Sequence, residues 1–440
     1  MAHYQPLNRQ VNSLYRRFWY LSGNLTSSLQ TSLKNAQIQF PFTPCSKFVS
    51  QDCRSLSTSS LKSSQAISAS SPADTVIPLK CENELHQETV HDITQHEGRK
   101  VDSHSNPSNC RVMLVDGTSI IYRAYYKLLS KLHNGHLSNA DGNGDWVLTI
   151  FSALALIIDV LEFLPSHVAV SVSFSGAPFD HTCVSSKENL RGKGINFRHN
   201  LYPAYKSNRP PTPDTIVQGL QYLKASLKAM SIKVIETPGV EADDVIGTLA
   251  TKSVAEGFKV RVVSPDKDFF QILSPSLRLL RLVPRGSEMV SFGIEDFSKR
   301  YLSLKPSQFV DMISLVGDKA DNIPGVEGIG DVHALQLISR FGTLENLLQC
   351  VDQVAEERIK KALITHADQA VLSKELAILR CDLPHYMVPF DTEDLEFRRP
   401  EDNGEKFTSL LNAISAYAEG FSADPIIRRA SYLWKKLDSQ

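Results

Sequence analysis

The chain has 440 residues, a formal net charge of −1, 42% hydrophobic residues and 22% charged residues, which is a globular composition. The balanced charge excludes neither nucleic acid nor a membrane surface as a partner. No apolar run reaches the roughly 18–20 residues of a membrane helix, so no membrane partner is expected. The seven cysteines include no CxxC pair. This disfavours a zinc site or a disulfide framework and indicates reduced thiols.

The first 109 residues do not have the pattern of a folded domain. Residues 1–51 contain no Asp or Glu, five basic residues and many Ser, Thr and Gln, which predicts an organellar transit peptide. A plain disordered tail is the alternative. Residues 52–109 are Ser-rich, then acidic and His-rich without periodicity, and are interpreted as a disordered linker. The composition does not distinguish a mitochondrion from a plastid.

From residue 110 onward, short apolar runs alternate with helical patterns. The predicted strands are 112–115, 167–174, 232–237, 258–264 and 277–283, and the predicted helices between them are 146–163, 214–230 and 242–256. Buried strands that alternate with helices favour a parallel sheet covered on both faces. We therefore expect an open α/β fold.

Carboxylates follow three of these strands. Asp116 follows the first, and two further groups follow later strands: Glu241, Asp243 and Asp244, and then Asp266 and Asp268. Ligands of open α/β sheets bind beyond the carboxyl ends of the strands, so these acids should converge. A helix N-terminus would explain each group alone. It does not explain why acids follow three strands.

A further acidic motif, "GDKADNIPG", adds Asp318 and Asp321. Their i, i+3 spacing predicts that both lie on one face of a helix. So many carboxylates in one cleft require positive charge, because like charges raise each other's pKa. All-oxygen ligands without His or Cys favour Mg²⁺ or Mn²⁺ over zinc.

Two segments could bind phosphate. Residues 187–209 carry six Lys or Arg against one Glu, with aromatic residues between them, which suits a nucleic-acid backbone and its bases. A solvated loop is the alternative. The turn "GVEGIG" (325–330) joins two helical patterns, and its glycines would let backbone amides approach a phosphate. The order GxGxxG and a preceding strand are both missing, so a dinucleotide site is not expected.

Five motifs, in order, resemble those of the 5′→3′ exonucleases and flap endonucleases, and in particular the 5′-nuclease domain attached to bacterial DNA polymerase I. They are "LVDGTSIIYRAYY", "LYPAYKSNRPPTPD", "GVEADDVIGTLA", "DKDFFQIL" and "GDKADNIPGVEGIG". The likeness covers about 111–385. No polymerase sequence follows, which implies a stand-alone member, of plant organellar type.

The resemblance implies a domain organisation. A PIN-like (Rossmann-like) catalytic domain, α/β with a mostly parallel sheet and helices on both faces, would span 110–300, with an arch at about 180–213. A helix-hairpin-helix DNA-binding subdomain would span 301–385, followed by a C-terminal tail over 386–440.

It also implies a two-metal site. Two Mg²⁺ ions, or Mn²⁺ in their place, would activate a water and stabilise the leaving oxygen. Asp116, Glu241 and Asp243 match the ligands of one ion. The second would be held by Asp266, Asp268, Asp318 and Asp321, with Asp244 completing the set. Lys206 and Arg209 match arch residues that grip the scissile phosphate. The residues expected to be catalytic are Asp116, Asp243, Asp266, Lys206 and Arg209.

The implied DNA contacts comprise side chains and the glycine-rich turn. They are Arg123, Arg198, Tyr205, Lys206, Arg209, Gly325, Gly328 and Gly330, with a K⁺ ion at the turn. The implied substrates are DNA 5′ flaps, nicks and RNA primers, which are recognised by structure rather than sequence. A monomer acting in organellar replication or repair, with an organellar DNA polymerase as partner, is expected.

The sequence departs from the family pattern at two positions. Ser175 stands where relatives have a metal-binding Asp, with Asp180 as a conceivable substitute, and a basic, Ser-rich insertion (176–196) follows. Val332 stands where relatives have Lys. These departures favour the alternative of a catalytically weakened protein that binds flaps or junctions. A third alternative, an RNase of the related PIN-like fold, is disfavoured by the "GDKADNIPGVEGIG" module.

Overall fold

The computed structural model describes residues 110–133, 144–173, 196–283, 288–302 and 304–439. The predicted transit peptide and linker lie outside the described residues, as do Ser175, Asp180 and the 176–196 insertion up to residue 195.

Six strands and thirteen α-helices form the described fold. The strands are β1 (Arg111–Asp116), β2 (His167–Ser171), β3 (Lys233–Ile235), β4 (Lys259–Val263), β5 (Leu277–Leu282) and β6 (Met289–Phe292). The first six helices are α1 (Gly117–His133), α2 (Asp145–Leu161), α3 (Phe197–Leu201), α4 (Asp214–Ala229), α5 (Ala242–Ala255) and α6 (Ile294–Tyr301). The others are α7 (Phe309–Val316), α8 (Asp331–Phe341), α9 (Leu344–Gln349), α10 (Glu357–Thr365), α11 (Ala367–Ala377), α12 (Glu405–Ser415) and α13 (Asp424–Leu437).

The strands form one sheet in the order β3-β2-β1-β4-β5-β6. The first five strands in this order pair in parallel, and β6 pairs antiparallel with β5 at the edge. The chain leaves β1 toward β2 and β3, and then crosses to the other side of β1 to form β4. The carboxyl ends of β1 and β4 therefore flank the point where the strand order reverses, where open α/β sheets bind ligands.

The sheet is buried on both faces. Along β1, Val112 and Leu114 belong to one hydrophobic cluster, while Met113 and Val115 belong to the other. This alternation is the two-residue period of a strand. The first cluster contains residues of α5 and of helices α7 to α11, and the second contains residues of α1, α2 and α4. The mostly parallel α/β fold with helices on both faces is confirmed.

Helices α7 to α11 form the predicted helical subdomain, and they share the first cluster with the sheet. A buried carboxylate ties three of them together. Asp311 in α7 accepts a hydrogen bond from the Leu344 backbone N–H at the start of α9 (3.1 Å), and it pairs with Lys374 of α11 at 2.6 Å. No helix in the described ranges is both long and apolar enough to cross a membrane.

The predicted C-terminal tail over 386–440 is in fact folded. Helix α13 packs on α2, and α12 packs on α4. Phe407 and Trp434 are buried and meet edge to face, with ring centroids 5.7 Å apart. Gly404 precedes α12 with φ +85°, and a Cβ there would lie 2.2 Å from the Trp434 ring. These helices belong to the second hydrophobic cluster.

Candidate metal and nucleic-acid site

The acids predicted to converge lie along the carboxyl edge of the sheet. Asp116 is the last residue of β1. Glu241 immediately precedes α5 without a side-chain cap hydrogen bond, and Asp243 lies in the first turn of that helix. Asp266 follows β4, and Asp268 begins the 3₁₀ helix Asp268–Ile272. Acids that are up to about 150 positions apart in the sequence therefore meet beside the point where the strand order reverses.

The prediction that Asp318 and Asp321 lie on a helical face is wrong. Helix α7 ends at Val316, and Gly317 follows with φ +76°, a left-handed conformation that glycine adopts at little cost. Asp318 and Ile323 then exchange two backbone hydrogen bonds of 2.9 and 2.8 Å. They close a short loop that carries both acids, so the turn rather than a helix aims them at the other carboxylates.

Four of the acids have no Lys or Arg within ion-pair distance among the residues that the structure describes. These unpaired acids are Asp116, Asp243, Asp266 and Asp268. Burial raises the pKa of all four. Repulsion by neighbouring carboxylates raises the pKa of Asp243 and Asp268 further, well above the usual range. The unpaired acids therefore require added positive charge to ionise together.

Hydrogen bonds nevertheless fix the positions of two unpaired acids. Asp116 accepts hydrogen bonds from the Ser119 backbone N–H at 3.0 Å and from the Ser264 hydroxyl at 2.9 Å. Asp266 accepts one from the Asp268 backbone N–H at 2.9 Å. Because Ser264 follows β4, its hydroxyl joins the ends of β1 and β4.

Three other acids of the cleft form ion pairs with Lys or Arg. They are Glu241, Asp318 and Asp321, and we call them the paired acids. Lys206 Nζ lies 2.8 Å from Glu241 Oε1 and 3.6 Å from Asp321 Oδ2. Arg209 also binds Asp321, and Lys267 Nζ lies 2.9 Å from Asp318 Oδ2. Burial alone would raise the pKa of Glu241 and of Asp321. Nearby cations outweigh burial, so the pKa of Glu241 is lowered and that of Asp321 falls to about 2.

Lys206 and Arg209 belong to a segment, residues 204–209, that we call the arch base. The Lys206 backbone N–H donates to the Asp321 carbonyl at 2.8 Å, and the Asn322 side chain donates to the Ala204 carbonyl at 2.7 Å. Lys206 and Asn322 are both left-handed, with φ of 54° and 57°. For residues other than glycine this conformation is unfavourable, so the contacts between the two segments must hold it.

The structure corrects the roles predicted for Arg198 and Asp244. Arg198 is buried and binds both Asp244 oxygens, at 2.7 and 2.9 Å. It also donates to the carbonyls of Leu376 and Ile378. Asp244 accepts a further hydrogen bond from the Arg380 backbone N–H. Because their polar groups are satisfied inside the protein, Arg198 cannot contact DNA here and Asp244 is not placed as a metal ligand.

The resemblance implies that both Tyr205 and Arg123 contact DNA. Tyr205 is buried, and its hydroxyl lies 3.3 Å from an oxygen of Glu241 and 3.3 Å from an oxygen of Asp321. Its predicted DNA contact is therefore corrected to a contact with the acids. Arg123 lies in α1, is half-buried and donates to the Val283 carbonyl.

The glycine-rich turn separates into an inner and an outer part. Gly325 is buried, its N–H donates to the Ser373 hydroxyl at 3.0 Å, and a Cβ there would lie 2.4 Å from the Gly317 nitrogen. The DNA contact predicted for Gly325 is corrected to a close backbone packing. Gly328 (φ +83°) and Gly330, which precedes α8, are exposed, and Val332 in the first turn of α8 is 67% exposed.

The acids fit a divalent ion in the chemistry of their donors. They supply only oxygen, as Mg²⁺ and Mn²⁺ prefer, and the unpaired acids have raised pKa values that added positive charge would lower. In the described part of the chain, no three His, Cys, Asp or Glu side chains are arranged to hold one ion. Metal binding would therefore require the carboxylates to draw together.

Two family models match the chain. One, "5'-3' exonuclease, N-terminal resolvase-like domain", matches residues 111–302. The other, "5'-3' exonuclease, C-terminal SAM fold", matches residues 304–403. DNA polymerase I of Bacillus caldotenax is 33% identical over 305 residues, which cover 69% of this chain and 31% of the relative. The chain thus spans about a third of the length of such curated relatives.

Two solved structures resemble the chain in part, at low sequence identity. The bacteriophage T5 D15 protein, co-crystallised with metal ions, has a TM-score of 0.47 and 19% identity, with 70% of this chain and all of that chain covered. The catalytic core of Rad2 in complex with DNA substrate has a TM-score of 0.46 and 16% identity, with 74% of this chain and 92% of that chain covered.

Proposed function

The chain belongs to the 5′–3′ exonuclease family of nucleases, and we propose that it is a structure-specific 5′–3′ exonuclease and flap endonuclease that depends on Mg²⁺. The observation that carries the proposal is the meeting of the four unpaired acids at the carboxyl edge of the sheet, beside Lys206 and Arg209. Buried carboxylates without cations serve a metal-dependent reaction better than they serve stability, because uncompensated charge destabilises a fold.

Each side chain then has a defined task. Asp116, Asp243, Asp266 and Asp268, with Glu241, Asp318 and Asp321, would hold two Mg²⁺ ions, for which Mn²⁺ can substitute. When bound, such ions activate water and stabilise the leaving oxygen in phosphodiester hydrolysis. Lys206 and Arg209 place positive charge where a phosphate would bear developing negative charge. Ser264 and Ser119 keep the Asp116 carboxylate in place through hydrogen bonds.

The substrates we propose are DNA 5′ flaps, nicked ends and RNA primers. The exposed Gly328 and Gly330 amides ahead of α8 would bind the duplex backbone, with a K⁺ ion at this turn. Phosphate contacts position a duplex without reading its sequence, as structure-specific cleavage requires.

We also propose that the protein acts in organellar DNA replication or repair, as a monomer beside an organellar DNA polymerase. The acid-free, basic composition of residues 1–51 supports import into a mitochondrion or plastid. Fusing these residues to a fluorescent protein tests the idea. A fusion that stays in the cytosol would refute it.

A second candidate is a flap- or junction-binding protein with little catalysis, favoured by Ser175 at the position of a family Asp and by the exposed Val332. The decisive experiment incubates the full chain with a 5′-labelled flap duplex, with Mg²⁺ or with EDTA. An Asp266→Asn/Asp268→Asn variant runs beside Asp352→Asn/Asp382→Asn, which removes the same charge from exposed positions.

Mg²⁺-dependent cutting near the flap base, lost only in the first variant, supports the nuclease. A flap that is bound but never cut supports the binding protein. Ser175→Asp then tests whether one absent ligand silenced the site. Preferential cleavage of single-stranded RNA would favour the RNase alternative instead.

A further inference from the structure

We propose that Lys206 is an exchangeable counter-cation of the acid site. Its ammonium group neutralises Glu241 and Asp321 until a divalent ion takes its place, and the displaced ammonium is then available to the substrate phosphate. The second step rests on the proposed function, whereas the first concerns only this chain and a divalent ion.

The position of the ammonium group is the first argument. Lys206 Nζ contacts Glu241 at 2.8 Å and Asp321 at 3.6 Å, and its side chain is only 9% exposed. By the assignment above, Glu241 serves one ion and Asp321 serves the other. A single ammonium group therefore occupies one ligand of each proposed ion, and its departure would free both.

The occupancy of Glu241 is the second argument. Its Oε1 accepts hydrogen bonds from Asn196 at 2.5 Å and from Lys206. Its Oε2 lies 3.3 Å from the Tyr205 hydroxyl and 3.5 Å from Arg198 Nη1. A carboxylate oxygen has two lone pairs, so a metal ion can bind Glu241 Oε1 only if Asn196 or Lys206 leaves.

Of these two donors, Lys206 has the weaker attachment to the protein core. Asn196, Arg198 and Tyr205 are buried, and Arg198 is fixed by Asp244 as well. Lys206 instead borders the exposed segment 207–211 and has an unfavourable left-handed backbone. A long flexible stem also lets its ammonium group move while the backbone stays in place.

Charge is the third argument. A divalent ion and an ammonium group on the same two carboxylates would repel each other, so the two cations should exclude one another. Because the two cations exclude each other, metal binding and phosphate binding by Lys206 are thermodynamically coupled. If a metal ion releases Lys206 to a phosphate, a phosphate that binds Lys206 must raise the affinity for the metal by the same factor.

Lysine acylation of the full wild-type chain tests the exchange directly. The protein is treated with an amine-reactive ester with and without saturating Mg²⁺, and modification is read by peptide mass spectrometry. Lys224 is the internal control, because it pairs with Glu236 at 2.7 Å and its side chain is similarly shielded at 13% exposure. We expect Mg²⁺ to raise the acylation rate of Lys206 several-fold and to leave that of Lys224 unchanged. If Lys206 is acylated at the same rate with and without saturating Mg²⁺, the proposal is overturned.

Calorimetric titration with Mg²⁺, without nucleic acid, gives an independent readout. Lys206→Met keeps the length of the side chain and removes its charge, and we expect it to bind Mg²⁺ about tenfold more tightly than the wild type. Lys224→Met should bind as the wild type does. If Lys206→Met fails to fold, the acylation result on the wild type still decides.

The outcomes separate this proposal from the proposed function. Equal Mg²⁺ affinity in the wild type and Lys206→Met overturns the exchange and leaves a metal-dependent nuclease intact. If no variant binds Mg²⁺, the exchange and the metal dependence fail together. If exchange is found but no flap is cut, only the proposed function fails.

Discussion

Arg198 and Asp244 form a bidentate ion pair, with bonds of 2.7 and 2.9 Å, and their side chains are 4% and 2% exposed. The pair joins α3 to α5, and the bonds from Arg198 to the Leu376 and Ile378 carbonyls extend it to the end of α11. It therefore connects α5, which packs on the sheet, to the helical subdomain.

Breaking this pair should destabilise the fold rather than remove a ligand. Arg198→Met leaves the Asp244 carboxylate buried without its cation, at a cost of about 3–5 kcal/mol in the free energy of unfolding. We expect Asp244→Asn to lower stability as well. Arg198→Met/Asp244→Asn should cost less than the sum of the two single changes. Urea denaturation of all four proteins measures this. Normal stability of Asp244→Asn together with weaker Mg²⁺ binding would restore Asp244 as a metal ligand.

Stabilisation by Mg²⁺ should grow with pH. The pKa values of Asp243 and Asp268 are raised, mainly by burial, above those of the unfolded chain. Their protonated forms thus stabilise the metal-free fold at acidic pH, and this contribution is lost as pH rises through the folded-state pKa. Mg²⁺ binds the ionised forms and offsets the loss, by about 2.7 kcal/mol at a concentration 100 times its Kd.

Thermal unfolding is measured with and without Mg²⁺, from acidic pH to above the folded-state pKa of these carboxyl groups. In Asp243→Asn/Asp268→Asn, the gain in Tm from Mg²⁺ should be small and almost independent of pH. A Mg²⁺ effect that shrinks as pH rises would contradict the assignment of these carboxylates.

A lysine at position 332 should strengthen duplex binding. Val332 is exposed in the first turn of α8, two residues after Gly330. Val332→Lys adds one cation where a phosphate is proposed to bind, and should make the slope of log K against log[salt] steeper by about 0.9. Titration of labelled duplex at several salt concentrations measures both the affinity and its salt dependence. Val371→Lys, at an exposed position on α11, is the matched control. If both substitutions strengthen duplex binding equally, the gain comes from the added positive charge anywhere on the surface and not from a phosphate site at the turn.

The two C-terminal helices should be required for stability although they lie beyond the family match, which ends at residue 403. Trp434→Ala removes a buried ring from the second hydrophobic cluster, at a cost of about 3–5 kcal/mol. Tyr432→Ala, at a site 60% exposed on the same helix, should be nearly neutral. A similar loss of stability in both variants would indicate that the helix itself, rather than its packing, is affected.

The sequence predicted the sheet because its signals are local. Strands β1, β2, β4 and β5 are short runs rich in apolar residues, which only arginines interrupt in β4 and β5. The first acid is the last residue of β1, and Asp266 lies three residues after the end of β4. Edge strand β6, "MVSF", has only four residues and is partly exposed, so its apolar pattern is weak. Its pairing with β5 depends on a reversal of the chain that apolar periodicity does not signal.

The charge partners could not be predicted in the same way. Arg198 and Lys206 lie in one basic segment, and nothing local indicates that the first is buried on Asp244 while the second reaches Glu241 and Asp321. These pairings depend on tertiary contacts between positions up to 115 apart in the sequence. The interpretation of 386–440 as a tail overlooked the pattern of aromatic and small residues over 404–434, several of which are buried in the two C-terminal helices.

The ion pair of Arg429 with Asp159 joins positions 270 residues apart in the sequence. During translation, α2 leaves the ribosome long before α13 exists to cover it. The apolar face of α2 that α13 covers therefore stays exposed until residues 162–423 and α13 itself have been synthesised, and chaperones bind such transiently exposed apolar surface. Pulse proteolysis of stalled nascent chains should therefore show α2 protected only after α13 has emerged.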